Sequence, residues 1–402
     1  MSNNIYRLEE ILKCQITGEW GTECEVDNGI CILRTTNFTN IGEIDYSNVV
    51  KRNISPKKIE TKRLVEDDII LEKSGGSDNI PVGRVVYCDA RIGQKVYLCN
   101  NFTQVLRVDK SKAVAKYVFY FLLFQHKRGY TELLQNKTTG IRNLQLKAYM
   151  EMRIPIPPIE EQKKIAEILD KASNLISLRK KQTEKLELLI KARFIEMFGY
   201  IKTNDKGWNC SVVNDVIDSI TAGWSGNGEA REKKEDEKAV LKVSAVTQGV
   251  FNAKEYKVLD SNTRIKKYVY PQKGDLLFSR ANTRELVGAT CIIYQDYPDL
   301  LLPDKLWKIK FNNKVNVFYM KYILSETSIR ANMAAQSTGT SGSMYNISMD
   351  KFKNIVIPLP PIELQNQFAD FVQLVDKQKE QLQKGLEKLE LTYKALMQQY
   401  FN

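Results

Sequence analysis

The chain has 402 residues, 43% hydrophobic and 27% charged, with 60 Lys+Arg against 48 Asp+Glu and a formal net charge of +12. This balance excludes a disordered or fibrous chain, and no apolar run reaches the ~18 residues that a membrane-spanning helix needs. Seven cysteines without a Cys-x-x-Cys pair, one histidine (His126) and no signal pattern at Met1-Ser2-Asn3-Asn4 predict reduced, structural cysteines, no metal site and a cytoplasmic protein. Asn37-Phe38-Thr39 and Asn101-Phe102-Thr103 match the glycosylation sequon, which without secretion reads as chance.

The first body predicts strands at Ile30–Arg34, Asp68–Glu72, Gly83–Tyr87 and Thr103–Val108, between Gly, Asn and Asp breakers. The aromatic stretch Tyr117–Phe124 predicts a core helix, and Lys137–Asn143 a polar loop. The pattern changes at Ile154-Pro155-Ile156-Pro157-Pro158-Ile159-Glu160, followed by Gln162 and Ala166. Residues 160–198 contain no Pro or Gly and predict one helix of ~60 Å, at 1.5 Å per residue. The two prolines precede it, Glu160 and Glu161 suit the positive end of its dipole, and Gly199 is placed to stop it.

The second body repeats the plan. Ala239–Val243 stands where Cys31–Thr35 stood, Gly274–Arg280 parallels Asp67–Lys73, and Val287-Gly288 parallels Val82-Gly83. Val317–Leu324 predicts a second core helix and Ser337–Ser343 a second polar loop. The proline block then returns as Ile357-Pro358-Leu359-Pro360-Pro361-Ile362-Glu363, with Gln365 and Ala369. The offset is 203 residues, and 17 of the 45 positions from 154 to 198 are identical to their partners. The second helix, about 363–401, contains Gly385. Phe368, Val375, Leu382, Leu389 and Leu396 recur every seven residues along it, as in a coiled-coil seam. In the first helix the matching row, Ile165, Ala172, Arg179, Leu186 and Arg193, is poorer than Ile168, Leu175, Gln182 and Leu189. These stripes predict that the helices pair with each other rather than each packing on its own body. The expected divisions are 1–153, 154–199, 200–356 and 357–402.

No catalytic constellation is found. There is no phosphate-binding Gly-x-x-x-x-Gly-Lys-Ser/Thr loop and no Asn/Asp-Pro-Pro-Tyr/Phe motif for a flipped base. His126 alone leaves little room for histidine catalysis. A binder without chemistry of its own is expected. The positive charge is shared: residues 1–150 hold 22 basic and 17 acidic side chains, and 201–350 hold 21 and 17. Two polyanion-binding modules would look like this. Candidate phosphate contacts are Lys51, Arg52, Lys57, Lys58, Lys62 and Arg63 in the first body, and Arg264, Lys266 and Lys267 in the second. Candidate base contacts lie in the Gly/Ser turn Lys73–Asn79, with Lys73 and Ser74, and in Ser279–Glu285, with Ser279, Arg280, Asn282 and Arg284. The bland alternative is a pair of hairpin turns. Arg84, Arg142 and Asn143 complete the DNA-binding candidates.

The twice-used Ile-Pro-x-Pro-Pro-Ile-Glu-x-Gln block, each copy opening a long helix and closing a variable body, resembles the specificity subunit of type I restriction–modification systems. The Gly274–Arg280 strand and loop and the polar Thr-Gly loops share the likeness, which covers essentially the whole chain. It implies an α+β fold in which two strand-rich target-recognition domains are separated by two long antiparallel helices forming a coiled coil, as a pseudo-two-fold repeat. Each domain would read one half of a split double-stranded DNA target. The helices would serve as spacer and docking surface, with Pro157, Pro158, Glu160, Gln162, Leu186, Pro360, Pro361, Glu363, Gln365 and Leu389 as the candidates. The implied partners are two modification (methyltransferase) subunits, which would bind S-adenosylmethionine and methylate adenine, and motor–nuclease restriction subunits. This chain would carry no cofactor, metal or catalytic residue. Alternatives are the specificity subunit of a type IIB-like or orphan methyltransferase, or a coiled-coil protein adaptor without DNA binding.

Overall fold

A computed structural model describes residues 4–24, 28–76, 81–138, 141–260, 262–339 and 344–402. Met1–Asn3, Ser77–Asn79 of the first Gly/Ser turn, Thr139-Gly140 and Thr340–Ser343 of the polar loops lie outside the described residues. The chain divides into two units: Met1–Lys181 with Gln383–Asn402, and Gln182–Leu382. The two long helices, Ile159–Phe198 and Ile362–Phe401, therefore each contribute to both units.

In the first unit an antiparallel sheet has the strand order Leu12–Thr17, Thr103–Val108, Asp68–Glu72, Val85–Tyr87. A second sheet orders Val50–Arg52, Ile30–Leu33, Tyr97–Cys99, the last pair being parallel. A third small sheet orders Gln135–Thr138, Ile141–Leu144, Ser74–Gly76. The strand Asp68–Glu72 is buried along its whole length, which explains why its apolar residues run together instead of alternating.

The second unit repeats this topology. Its main sheet orders Ile217–Ala222, Leu306–Phe311, Leu276–Ser279, Thr290–Ile292. Its second sheet orders Gly228–Glu229, Tyr256–Leu259, Ala239–Leu241, Leu300–Leu301, again with one parallel pair. Ala281–Asn282 pairs with Tyr345–Asn346, as Ser74–Gly76 pairs with Ile141–Leu144. A buried ion pair recurs too: Asp68 binds the Arg107 guanidinium at 2.7 and 2.8 Å, and Asp275 binds the Lys308 ammonium at 2.9 Å. In both units the carboxylate is under 2% exposed and also accepts the backbone N–H three residues back, from Val65 or Gln272.

The core helices span Ala115–Lys127 and Val317–Ser325. A buried glutamine fastens each to the long helix of its own unit. Gln162 accepts the Val114 N–H at 2.8 Å and donates to the Pro157 carbonyl at 2.8 Å. Gln365 accepts the Asn316 N–H at 2.9 Å and donates to the Pro360 carbonyl at 2.8 Å. Tyr117 and Tyr319 then donate to the carbonyls of Pro155 and Pro358 and pack edge-on against Phe401 and Phe198. The repeated Pro, Gln and Phe positions thus form one joint used twice.

The helices end and pack for local reasons. Gly199, with φ +77°, closes the first helix, and the Trp208 indole caps its Phe198 carbonyl at 3.0 Å. Within the first unit, Ile165, Leu169 and Ile176 share one core with Leu386, Tyr393, Met397 and the core helix. Within the second, Ile190, Phe194 and Phe198 share one with Phe368, Val372 and Val375. One ion pair joins the two helices in each unit, Lys180–Glu390 at 2.8 Å and Lys379–Glu187, and because the partners' numbers fall on one helix as they rise on the other, the helices run antiparallel. Pairing with the other helix and packing on a body are therefore not alternatives. The expectation for Ile168, Leu175 and Leu189 needs correction: they are 40%, 48% and 47% exposed. A straight helix of 3.6 residues per turn lying on a globular core buries i, i+4, i+7 and i+11, and Ile165, Leu169, Ala172 and Ile176 follow that spacing. Gly385 does not interrupt the second helix.

Candidate nucleic-acid interface

Three connections meet at one end of the main sheet in each unit. In the first, the Phe102 carbonyl in the turn before Thr103–Val108 accepts the N–H groups of Lys73 and Ser74 at 2.9 and 3.2 Å. Ser74 in turn pairs with Asn143, backbone register and side chain both. The loop after Leu12–Thr17 joins them: Glu19 N–H donates to the Cys99 carbonyl, and Lys62 reaches the Gly18 carbonyl at 3.4 Å. A Cβ at Gly18 would lie 1.9 Å from the Asn100 carbonyl oxygen, so only glycine lets this loop approach the turn.

The second unit builds the same end. Arg280 N–H donates to the Lys305 carbonyl, and the Arg280 carbonyl accepts from Ile347, beside the Asn282–Tyr345 pair. Gly223, where a Cβ would meet the Leu302 carbonyl oxygen at 1.9 Å, brings Trp224 and Ser225 against the turn at Asp304. Lys267 donates to the Ala222 carbonyl at 2.6 Å, matching Lys62.

These geometries sort the sequence candidates. Lys73, Ser74, Arg142 and Asn143 lie together, as do Arg280, Asn282 and Arg284. Burial holds the Lys73 ammonium below the usual lysine range. Arg280 is aimed by Asp304: its Nε donates to the carbonyl at 3.0 Å and its Nη2 lies 3.6 Å from the carboxylate. Lys51 is exposed on the second sheet, next to Arg52, whose guanidinium stacks 4.2 Å from the centre of the Trp20 ring. Arg264, Lys266 and Lys267 are exposed on one loop.

Two candidates are corrected. Arg84 gives two hydrogen bonds of 2.8 Å to Glu72, a residue only 2% exposed, and a third to the Thr35 carbonyl; it neutralises a buried carboxylate inside the body. Ser279 is fully buried and packs within the sheet. Among the docking candidates, Gln162, Gln365, Pro157 and Pro360 are buried in the joints described above, so they are not part of an outer surface. Pro158, Pro361, Glu160 and Glu363 are exposed, and Leu186 and Leu389 are half-buried against the cores.

Sequence reasoning missed Trp20, Phe102, Trp224, Asp304 and Tyr345. A signal was present: Ile16-Thr17-Gly18-Glu19-Trp20 and Ile220-Thr221-Ala222-Gly223-Trp224 are a second short repeat.

Each unit also holds a cavity where the core helix meets the long helices. One, about 520 Å³, is lined by Phe124, Lys127, Glu390, Lys394 and Met397; the other, about 590 Å³, by Lys321, Tyr322, Glu187, Lys191 and Phe194. Glu187, Lys191 and Phe194 stand 203 residues before Glu390, Lys394 and Met397, so the two cavities use the same stretch of the repeat. Among the described residues no group of three or more His, Cys, Asp or Glu is placed to hold a metal ion. Burial pushes the half-buried His126 imidazole down to about 4, and its Nδ1 lies 2.8 Å from the Thr131 hydroxyl.

Comparison with known proteins places two matches in the chain. The family described as type I restriction modification DNA specificity domain matches residues 23–188 and again 205–391. The EcoKI specificity subunit of Escherichia coli K12 is 25% identical over 369 residues, 87% of this chain and 75% of that subunit. The EcoEI specificity subunit of Escherichia coli is 26% identical over 183 residues, 44% of this chain and 31% of that subunit's length. The type I S subunit of M. genitalium, a crystal structure, has the same fold with a TM-score of 0.59 at 17% identity, covering 98% of this chain and 95% of that one. A structure from work on assembly and conformational transition of the type I R-M system gives 0.52 at 15% identity, covering 99% and 97%.

Proposed function

The chain belongs to the type I restriction–modification DNA specificity family, as a non-catalytic specificity subunit with two such domains, and from that premise we propose that each unit reads one half of a split DNA target. The observation that carries this reading is the convergence, in both units, of Arg or Lys, Asn and Ser on one sheet end around a stiff turn. Arg and Asn can address guanine and adenine edges in the major groove, while Lys51, Lys58, Arg264 and Lys266 suit phosphates. Both bodies offer the same scaffold with different side chains, as two different half-sites need.

The twin cavities support docking of one partner in two copies, a methyltransferase subunit carrying S-adenosylmethionine, with restriction subunits joining that complex. A partner held twice wants the same surface twice, and Glu187/Lys191 and Glu390/Lys394 supply it.

Sequencing of methylated adenines in a host expressing the locus tests the reading. Arg280→Ala or Asn282→Ala is expected to relax the half-site read by the second unit alone, by about 1–3 kcal/mol per lost bidentate pair. An unchanged methylated motif in both variants would reject these contacts.

A further inference from the structure

We propose that Phe102 is a base-contacting, specificity-determining residue of the first unit. The inference rests on the DNA-reading function proposed above.

Phe102 is 45% exposed, in the Asn101-Phe102-Thr103 segment that matches a glycosylation sequon. A single exposed apolar side chain is ordinary on a protein surface. This one differs in its surroundings and its rigidity. Its carbonyl holds the backbone of Lys73 and Ser74, and Ser74 pairs with Asn143, so the turn that carries the ring is joined to segments bearing groups suited to phosphates and base edges. Its turn is held at four points. The Phe102 carbonyl accepts two N–H groups, and the Asn100 carbonyl accepts the Thr103 N–H at 3.1 Å and its hydroxyl at 2.7 Å. Thr103 is fully buried, so the turn is anchored in the core sheet.

In the equivalent turn of the second unit Lys305 takes the place of Phe102, its carbonyl accepting the Arg280 N–H, and Asp304, which aims Arg280, stands one residue earlier, where the first unit has Asn101. One backbone position thus offers an apolar ring in one body and a lysine in the other. Two readers of different half-sites would diverge at such a position. A phenyl ring meets a base through apolar surface: the 5-methyl of thymine in the major groove, or the face of an unstacked base.

The test uses the full chain assembled with its methyltransferase partner, a duplex carrying the motif methylated in vivo, and a duplex without it. Phe102→Ala is expected to weaken binding to the motif about five- to a hundred-fold. Affinity for the other duplex and the salt dependence should stay at wild-type values. Lys51→Ala, at a phosphate candidate of the same unit, should weaken both duplexes and lower the salt slope by about one. Phe102→Leu, with a melting temperature matched to wild type, should keep most of the affinity and so separates contact from folding. Uracil in place of thymine, one position at a time, distinguishes the two contacts. A loss seen with wild type and absent with Phe102→Ala marks a methyl group. No such position, with 2-aminopurine fluorescence at one step rising only when Phe102 is present, marks an unstacked base. Wild-type affinity of Phe102→Ala for the motif, with Arg280→Ala still impaired, overturns the Phe102 assignment and leaves DNA reading intact. Failure of the wild-type complex to distinguish the two duplexes overturns DNA reading itself, and this proposal with it.

Discussion

Gln162 and Gln365 show what a repeated residue is for. Each is fully buried, and each uses both ends of its amide, accepting the N–H just before a core helix and donating to a proline carbonyl. A leucine of similar size fills the space and leaves that N–H without a partner, at a cost of about 1–3 kcal/mol. Gln162→Leu should therefore lower the melting temperature, and so should Gln365→Leu, measured by differential scanning fluorimetry or calorimetry. A stability equal to wild type in both variants would mean that the joint relaxes at no cost. Repetition alone marked these glutamines in the sequence, and it marked the outward-facing Glu160 and Glu363 equally. Direction is what the one-dimensional pattern lacks, because the contacts lie some 48 residues away in the chain for Gln162.

At the level of elements, the long helices were legible from uninterrupted length, the proline block and Gly199, and the strands Asp68–Glu72 and Thr103–Val108 from their β-branched runs. Leu12–Thr17, Ile217–Ala222 and Leu306–Phe311 were not, because their alternation mixes Lys, Gln, Ser and Trp into short runs that carry little apolar or β-branched signal. The buried helix face was misread for a related reason: a heptad row and a row facing a globular core differ by only a small drift per turn, and the first helix offers apolar residues to both. Its outward row is now the better candidate for a partner. Leu175→Glu should leave thermal stability within about 0.5 kcal/mol, as an exposed substitution does, and weaken assembly with the methyltransferase subunit. The cavities predict a sharper result. Lys191→Glu and Lys394→Glu should each remove one partner copy, giving one bound subunit in place of two by native mass spectrometry. Two copies retained by both variants would place docking elsewhere. Because each helix passes from one unit into the other, after Lys181 in the first and after Leu382 in the second, a spacer test must lengthen both. Four residues added after Lys181 and four after Leu382 extend each helix by ~6 Å, close to two base steps. A longer unread gap with both half-sites unchanged is expected in the methylated motif, and altered half-sites with an unchanged gap would reject the spacer reading.

For the molecule as a whole, the charge balance says more than the net +12. The excess is 22 over 17 in residues 1–150 and 21 over 17 in 201–350, so neither body dominates. If each body neutralises its own set of phosphates, the released counterions add, and log Kd should rise linearly with log salt with a slope of about 0.9 per phosphate contacted. Neutralising Lys51, Lys57 and Lys58 together should lower that slope by about two to three, one step for each phosphate left without its lysine. Neutralising Arg264, Lys266 and Lys267 should do the same from the second unit, and the two sets should combine additively, since they lie in different units and share no partner. The methylated motif should remain the same in all these variants, because phosphate contacts hold position without reading sequence. A slope unchanged by either set would mean that the exposed lysines and arginines are a solvated surface. A slope that falls while one half-site relaxes would mean that part of the set reaches base edges, which their place beside the Trp20 and Trp224 loops allows.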